Sequence, residues 1–279
     1  MNNSSFEQHT SSWRHDYEER LRADWGWLTV TGLFWIDEGR HSIGSGADCA
    51  IRLSEGEGVP AHAADLVRSG NGVSLEVKVP GSITLNGQPA ADGPLSFDGT
   101  QGERFVIGQQ SFLVVRRDDR VGVRTWDNGS AQRAAYRGSD WFPACEEWRV
   151  AAVYREFAEP KLIRWLNVIG DEKEQLVGGA WHFSLAGKEL SLISLSPPDT
   201  GQFFVLRDGT SGDETYGASR FLSAPAPENG RTVLDFNRLY NPPCAFTPHA
   251  TCPLPPRENV LSVRIEAGDK GIFIHEEHC

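Results

Sequence analysis

The chain has 279 residues, of which 39% are hydrophobic, 10% aromatic and 23% charged, and its formal net charge at pH 7 is −11. This length accommodates two compact domains or one large β domain, and the hydrophobic content is sufficient to fill their cores. The negative charge would repel a nucleic-acid backbone and an anionic membrane surface. We therefore expect neither nucleic acid nor membrane as the main partner.

The localisation expected from the sequence is cytoplasmic. No run of about twenty apolar residues is present, and the N-terminus lacks the basic and apolar regions of a secretory signal. The cysteines are odd in number and irregularly spaced, which argues against a disulfide framework and favours reduced thiols. They are Cys49, Cys145, Cys244, Cys252 and Cys279.

The first predicted element is an amphipathic helix over residues 12–23. Trp13, Tyr17 and Leu21 recur at every fourth position, and charged side chains occupy the opposite face. Residues 1–10 are polar and are expected to be disordered. Together these segments form a predicted N-terminal region over residues 1–24.

Short apolar runs separated by turn residues follow the helix, a pattern typical of an all-β domain. Gly70-Asn71-Gly72 and Asn86-Gly87 are strong hairpin-turn signals. We predict a β-sandwich over residues 25–125 and a connection over residues 126–139.

A second set of β-rich runs predicts another all-β domain over residues 140–270, built as a barrel or a sandwich, with a tail over 271–279. Its strand candidates include residues 149–157, 162–170, 232–239 and 260–267.

The first half of the sequence is similar to a forkhead-associated (FHA) domain. Gly39–Ser45, Asp48–Leu53 and Pro60–Ala63 carry this similarity, which extends over residues 28–117. The resemblance implies a β-sandwich that binds phosphothreonine. However, the family's phosphate-binding Arg is replaced by Ser45, and a hydroxyl cannot substitute for a bidentate guanidinium. We therefore expect the FHA scaffold without phosphopeptide binding, and His62 as a hydrogen-bonded structural histidine.

Three longer motifs resemble the bacterial family called domain of unknown function 1684. They lie at residues 25–45, 208–222 and 235–252, in a similarity that runs from Trp25 to Lys270. The resemblance implies kinship but no assigned reaction. The chemistry must therefore be inferred from the residues themselves.

The loop between Arg207 and Arg220 is rich in Thr, Ser, Gly and Asp. Such a loop can form a backbone nest for a carboxylate or a phosphate. Alternatively, it is a long hairpin whose hydroxyls satisfy its own backbone.

Strand alternation would place Asp235 and Asn237 on one face of the following segment. If that face is buried, both side chains need partners, because burial of an unpaired polar group is costly. Arg220, Arg264 or a ligand would satisfy them. Alternatively, a buried polar network ties the proline-rich segment, residues 235–252, to the rest of the domain.

The cysteines of this loop allow several kinds of site. Cys244, His249 and Cys252 have spacings usable for a metal site, with a fourth ligand from the C-terminal tail. Cys244 is also a candidate nucleophile assisted by His249. A disulfide between Cys244 and Cys252 is a further alternative, and two buried free thiols are the default.

We interpret the second domain as a small-molecule-binding domain whose ligand carries an anionic or carboxylate group. Arginine would pair with that group, and tyrosine rings would form apolar walls. The sequence identifies neither the ligand, nor a cofactor, nor the oligomeric state. The predicted pocket residues are Thr215, Tyr216, Arg220, Asp235, Asn237, Tyr240, Asn241 and Cys244.

Two other function classes stay open. The first is an enzyme that uses the same pocket, with Asp235 as a general base or metal ligand, Arg220 stabilising negative charge and Cys244 as the other catalytic candidate. The second is a protein-interaction module that acts through the FHA-like domain.

Overall fold

The computed structural model of the protein describes residues 3–99 and 101–272. The chain is mostly β-structure with one long helix, which confirms the predicted fold class. It divides into a first unit, Arg22–Ala135, and a second unit, Met1–Leu21 together with Tyr136–Cys279. Within the part of the chain that the structure describes, no helix combines the length and the apolar character needed to cross a membrane.

Helix α1 spans Asn3–Arg22 and therefore begins earlier than the sequence predicts. The expectation of disorder over residues 1–10 is wrong for residues 3–10, which are helical. Phe6 and Thr10 are buried like Tyr17, so the buried stripe of the helix extends further towards the N-terminus than its aromatic residues indicate.

Two sheets form the first unit. The first has the strand order β1-β13-β12-β11-β6-β7 and the second the order β3-β2-β4-β5-β8, while β9 pairs with β10. A short helix, α2, follows the last strand over Ala131–Ala135. The strands are β1 Val30–Ile36, β2 Gly39–Gly44, β3 Ile51–Arg52, β4 Ala64–Ser69, β5 Gly72–Val77, β6 Ile83–Leu85, β7 Gln88–Pro89, β8 Gly93–Pro94, β9 Phe97–Asp98, β10 Gln101–Gly102, β11 Arg104–Ile107, β12 Gln110–Arg117 and β13 Arg120–Asp127.

Side chains from both sheets fill one core in the first unit. Phe105 of β11 stacks on Phe112 of β12 at a centroid distance of 4.8 Å, and the same cluster includes Ile43 of β2 and Leu66 of β4. A core shared by two sheets is the arrangement of a β-sandwich. The predicted turn at Asn86-Gly87 is confirmed, with φ values of 49° and 80° between β6 and β7.

The second unit contains a four-stranded sheet, β17-β16-β15-β20, and two pairs, β18-β19 and β14-β21. The four-stranded sheet and the β18-β19 pair contribute to one core. The strands are β14 Ser139–Trp141, β15 Arg149–Leu166, β16 Glu172–Leu185, β17 Lys188–Leu192, β18 Gln202–Leu206, β19 Arg220–Ala224, β20 Arg231–Asp235 and β21 Asp269–Ile272.

The two strands predicted over 149–157 and 162–170 are one strand, β15. Its pairing with β16 is interrupted by an irregularity between Glu156 and Lys161. Pro160 lies in this interruption, where its missing N–H breaks no ladder hydrogen bond. The proline therefore marks a bulge in a continuous strand rather than a turn between two strands.

The strand predicted over residues 260–267 is not a regular strand. Its alternate residues are buried, including Leu261, Val263 and Ile265, so the alternation in the sequence is real. However, the carbonyls of Ile265 and Ala267 accept hydrogen bonds from the side chain of Arg220 instead of from a neighbouring strand. The alternation therefore reflects burial on one face, and only isolated backbone hydrogen bonds, such as that from the Gly209 N–H to the Val263 carbonyl at 2.7 Å, join the segment to a neighbour.

Candidate functional site

Asp235 ends β20 and caps the 3₁₀ helix Phe236–Arg238. Its Oδ1 accepts hydrogen bonds from the backbone N–H of Asn237 at 3.2 Å and from the Asn237 side-chain amide at 2.9 Å. Its Oδ2 lies 3.4 Å from Nε of Arg238. The chain therefore stops alternating after Asp235, because Asn237 lies in the 3₁₀ helix and not on the same strand face.

Asn237 is fully buried and joins two distant segments of the second unit. Its Nδ2 donates to the carbonyl of Cys145 at 2.9 Å, and the Cys145 N–H donates back to Oδ1 at 2.9 Å. These two hydrogen bonds resemble those between paired strands, with the Asn237 side-chain amide in the place of one backbone. Asn237 thus belongs to a polar network that holds the start of the proline-rich segment.

Arg220 is fully buried, and protein groups surround its guanidinium. It donates to the carbonyls of Ala267 at 2.6 Å and Ile265 at 2.9 Å, and it forms a buried ion pair with Asp208. Burial lowers the pKa of Arg220, and the negative charge of Asp208 opposes this shift. The side chain ties three segments of the unit together and does not point into a cleft.

Several polar groups of the loop that follows β18 hydrogen-bond to one another. Oδ1 of Asp208 accepts from the backbone N–H and the hydroxyl of Thr210, both at 2.6 Å. The hydroxyls of Thr210 and Thr215 are 2.9 Å apart, and Thr215 is buried. The geometry corresponds to the hairpin interpretation of this loop, with Asp208 at its centre.

Tyr216 and the two cysteines of the proline-rich segment lie together. The Tyr216 hydroxyl donates to the Cys244 carbonyl at 3.1 Å, and the Cys244 N–H donates to Sγ of Cys252 at 3.3 Å. Burial and the Cys244 contact raise the pKa of Tyr216. Neither cysteine forms a disulfide bond.

His249 is not joined to these cysteines in a metal site. Its backbone N–H donates to the Thr247 hydroxyl at 3.3 Å, and among the described residues no cluster of three or more His, Cys, Asp or Glu side chains could hold a metal ion. The candidate fourth ligands His275, His278 and Cys279 lie outside the described residues.

Tyr240 and Asn241 lie beneath helix α1. Tyr240 packs against Trp13 and Tyr17, with centroid distances of 6.2 and 5.3 Å, and burial raises its pKa. The Tyr17 hydroxyl donates to the backbone carbonyl of Asn241 at 3.0 Å. The side-chain amide of Asn241 is buried and has no hydrogen-bond partner among the described residues.

Asp269 is a buried acid that the sequence analysis did not select. Neither of its carboxyl oxygens has a hydrogen-bond partner among the described residues. Burial raises the pKa of Asp269 to about 7, while the Ser139 hydroxyl and the backbone N–H groups of Asn241 and Gly271 approach the carboxyl and oppose this shift. Its position beside a glycine and before a lysine gives no sequence signal of burial.

A cleft of about 170 Å³ lies along α1 in the second unit. Its charged side chains are Arg149 of β15, Asp235 of β20, and Arg238, with His9 of α1 beside them. Arg149 and Asp235 are directly opposite each other in the β15–β20 ladder. The complete lining is Phe6, His9, Thr10, Arg149, Ser223, Pro225, Val233, Asp235 and Arg238.

Of the eight predicted pocket residues, Asp235 alone lines this cleft. His9, Arg149 and Arg238 are not predicted from the sequence, because an exposed arginine on a strand and a histidine on a helix carry no local signature. A second cleft of about 110 Å³, beside the β15–β16 hairpin, has no charged side chain in its lining.

In the first unit, Ser45 and His62 are the residues that the FHA resemblance singled out. Its hydroxyl lies 3.4 and 3.3 Å from the carbonyls of Val59 and Pro60, to which it donates. His62 is hydrogen-bonded, as predicted, through Nε2 to Asp65 at 2.7 Å. Both side chains bond to their own unit.

The part of the chain that contains the proline-rich segment matches a known sequence family. Residues 134–270 match the family described as "Protein of unknown function (DUF1684)". The resemblance stated from the sequence is thus confirmed for this segment, which contains two of its three motifs. The matched segment contains Asp235, Arg220, Cys244 and Cys252, whereas α1 lies before it in the chain. No curated protein matches the sequence.

Solved structures are similar to parts of the chain. An uncharacterised protein from Haloarcula marismortui, solved by NMR, is 26% identical with a TM-score of 0.41, covering 53% of this chain and 82% of that one. The FhaA FHA domain, solved with the intracellular domain of Rv3910, is 19% identical with a TM-score of 0.24, covering 33% and 96%. The N-terminal FHA domain of Rad53p from S. cerevisiae, solved with a phosphothreonine peptide, is 14% identical with a TM-score of 0.21, covering 43% and 84%.

Proposed function

We propose that the second unit binds a small anionic molecule, such as a carboxylate, in the cleft along α1. One observation carries the proposal: Arg149, Arg238 and His9 line a single cleft in a chain whose net charge is −11. Two arginines in one cleft of an acidic chain favour recognition of an anion, because a guanidinium binds carboxylate or phosphate through two parallel hydrogen bonds.

The charged groups of the cleft have different roles in this proposal. Arg238 lies 3.4 Å from Asp235, so its charge is partly neutralised. Arg149 forms no ion pair with any described residue, and it is exposed. Arg149 is therefore the main anion-binding group, and Asp235 would accept a hydrogen bond from a hydroxyl or amine of the ligand.

The size of the cleft limits the ligand. Pockets for drug-sized molecules measure about 300–1,000 Å³, whereas this cleft measures about 170 Å³. Phe6, Pro225 and Val233 provide apolar walls for a short carbon chain. We therefore infer a ligand of the size of a small dicarboxylate. A role of the other predicted pocket residues in ligand binding stays a prediction.

The test is calorimetric titration of the full chain with succinate and with inorganic phosphate. Arg149→Gln removes the charge at the cleft, and Arg231→Gln removes an equally exposed charge from β20 outside the cleft lining. We expect Arg149→Gln to weaken succinate binding about tenfold or more, since hydrogen bonds to charged groups contribute roughly 1.5–3 kcal/mol. Arg231→Gln should leave binding unchanged.

Two results would contradict the proposal. One is the absence of binding heat for both anions with the wild-type chain. The other is equal weakening by the two arginine variants, which would mean that general charge and not the cleft attracts the anion. Titration at increasing salt separates these cases, because a long-range attraction between exposed charges is screened.

A further inference from the structure

Two thiols of the proline-rich segment lie side by side outside the proposed cleft. Cys244 is in the short 3₁₀ helix Pro243–Ala245, and Cys252 follows eight positions later in the chain. The backbone N–H of Cys244 donates to Sγ of Cys252 at 3.3 Å. The segment therefore folds back on itself so that the two cysteines meet, and neither forms a disulfide bond.

The two thiols differ in exposure. Cys252 is buried, with 5% of its surface exposed, whereas Cys244 is only half-buried. A solvent-borne oxidant would therefore reach Cys244 first. Cys252 would react only with a group already present on the Cys244 sulfur. This asymmetry is that of an attacking thiol and a resolving thiol.

The surroundings of Cys244 favour its thiolate. The hydrogen bond from the Cys252 thiol lowers the pKa of Cys244 to about 7, against the opposing effect of burial, and the Tyr216 hydroxyl acts in the same direction as Cys252. The thiolate is the reactive form of cysteine towards peroxides and disulfides. At neutral pH a substantial fraction of Cys244 is thus in the reactive form.

We propose that Cys244 and Cys252 form a reversible thiol–disulfide pair that is oxidised by hydroperoxides. The Cys244 thiolate attacks the outer peroxide oxygen, the O–O bond breaks, and the released alkoxide or hydroxide takes a proton from water. This leaves a sulfenic acid on Cys244. The Cys252 sulfur then attacks the Cys244 sulfur, the S–O bond breaks, and the hydroxyl leaves as water with the Cys252 proton.

Electrons and protons balance in these reaction steps. The two thiols lose two electrons and two protons, and the peroxide is reduced by two electrons to an alcohol or water and a second water. Return to the thiols requires a dithiol reductant, which exchanges its own two thiols for a disulfide. The proposal goes beyond ligand binding, because neither cysteine lines the cleft along α1.

Cys49 is a natural comparison within the same chain. Its thiol lies 3.2 Å from the carbonyl of Ala61, whereas Cys244 contacts a second cysteine. We therefore expect Cys49 to react more slowly than Cys244.

The experiment uses the full chain in a Cys279→Ser background, which removes the thiol beyond the described residues. The reduced protein is treated with a small excess of hydrogen peroxide, and mass spectrometry follows the intact mass and the cross-linked peptides. We expect the mass to fall by two hydrogen atoms and one disulfide to join Cys244 with Cys252. Native alkylation of Cys244 by iodoacetamide at pH 7 should be about tenfold faster than that of Cys49.

Two single variants distinguish the roles of the sulfurs. In Cys252→Ser, Cys244 should accumulate as a sulfenic acid that dimedone traps. In Cys244→Ser, Cys252 should stay unmodified over the same time. Cys49→Ser should form the disulfide like the parent chain. Circular dichroism checks that each variant is folded. If a variant is unfolded, the peptide map of the oxidised chain without that substitution shows whether the Cys244–Cys252 disulfide forms.

Three outcomes would overturn the proposal. They are no mass change with peroxide, oxidation of Cys244 beyond the sulfenic acid without a disulfide, and equal oxidation rates for Cys49 and Cys244. Succinate titration of the oxidised and reduced chain is independent of these results. Failure of anion binding therefore would not affect the thiol proposal, and failure of disulfide formation would not affect the cleft.

Discussion

Arg220 and Asp269 are both completely buried in the second unit, and their surroundings differ. Arg220 has an acidic partner in Asp208 and backbone carbonyls around its guanidinium. Asp269 is as deeply buried, but its oxygens have no hydrogen-bond partner among the described residues. Arg220 therefore stabilises the fold. Burial of Asp269 costs free energy, and the amount depends on whether its carboxyl group is protonated.

We expect Arg220→Lys to destabilise the second unit by about 3–5 kcal/mol, the range for breaking a buried ion pair. Lysine keeps the charge but cannot donate at once to Asp208 and to the carbonyls of Ile265 and Ala267. Urea unfolding measures the change. The matched control is Arg264→Lys, because Arg264 forms exposed ion pairs with acidic residues such as Glu214 and should change stability by less than about 1 kcal/mol. Equal effects of the two variants would contradict this role of Arg220.

Asp269 should make the stability of the second unit depend on pH. Its pKa in the folded protein is about 7, above the value of about 3.9 for an unfolded aspartate. The unfolded chain therefore releases this proton first, and the stability that the neutral carboxyl provides is complete below about pH 4 and is lost as the pH rises through 7. The charged or titratable groups that face Asp269 are Arg14 and Tyr17 of α1 and Arg220 of β19.

The measurement is the free energy of unfolding between pH 4 and pH 8 for the wild-type chain and for Asp269→Asn. The variant should be more stable than the wild type at pH 8, by up to a few kcal/mol, with little difference at pH 4. Parallel pH profiles of the two proteins would show that Asp269 stays ionised in the folded state. Asp140→Asn serves as a control, since Asp140 is partly exposed beside Lys270.

At the scale of elements, the second unit depends on how short segments cross beneath α1. Glu18 of α1 accepts hydrogen bonds from Nε1 of Trp141 at 2.8 Å and from the backbone N–H of Ser139 at 3.3 Å. These contacts connect α1 to β14, and β14 pairs with β21, which begins at Asp269. A helix at one end of the chain thus covers an acid near the other end.

The backbone of Gly268 lies against Leu239. Its φ is +79°, and a Cβ at this position would lie 2.5 Å from both the carbonyl oxygen and the Cβ of Leu239. We expect Gly268→Ala to lower stability by about 2 kcal/mol or more, because a left-handed backbone already costs about 1–2 kcal/mol without glycine and the contact adds to it. Thermal unfolding measures this loss.

Gly271→Ala is the control for this prediction. Gly271 lies in β21, three positions after Gly268, and a Cβ there would meet nothing within 4 Å. Its variant should unfold within a degree or two of the wild type. Equal losses at Gly268 and Gly271 would indicate that entropy of the unfolded chain, and not the contact with Leu239, determines the effect.

Element boundaries show where sequence patterns are sufficient and where they are not. The stripe of Tyr17 and Leu21 predicted α1, and the Asn86-Gly87 pair predicted its hairpin, because both signals depend on neighbours along the chain. The alternation over 260–267 predicted a strand that is absent. Burial of every second residue needs only an extended backbone, and the carbonyls of Ile265 and Ala267 accept hydrogen bonds from the distant Arg220.

At the scale of the whole molecule, the net charge of −11 determines which long-range attractions are possible. The cleft along α1 is a local exception, because two arginines and a histidine line it. A small anion can approach such a cleft, since salt screens the remaining negative surface beyond about 8–10 Å. A polyanion, in contrast, would face the charge of the whole chain.

We therefore expect no binding of the full chain to a DNA duplex or to phosphatidylserine vesicles at physiological salt. Fluorescence anisotropy of a labelled duplex and co-sedimentation with vesicles measure the two cases. Micromolar binding to either polyanion would contradict the prediction. Loss of that binding in Arg149→Gln would then assign it to the cleft, because one removed phosphate contact lowers the salt dependence of binding by about one unit.

The sequence by itself determined the class of the fold, the amphipathic α1, the main hairpins and the resemblance to DUF1684. These features follow from spacing and composition within short windows, which the unfolded chain already contains. Only the tertiary structure decided that the Arg220 guanidinium is buried beside Asp208, that Asp269 is buried, and that His9 and Arg149 line one cleft. Each of these facts joins residues that are far apart in the chain, so no local pattern encodes it.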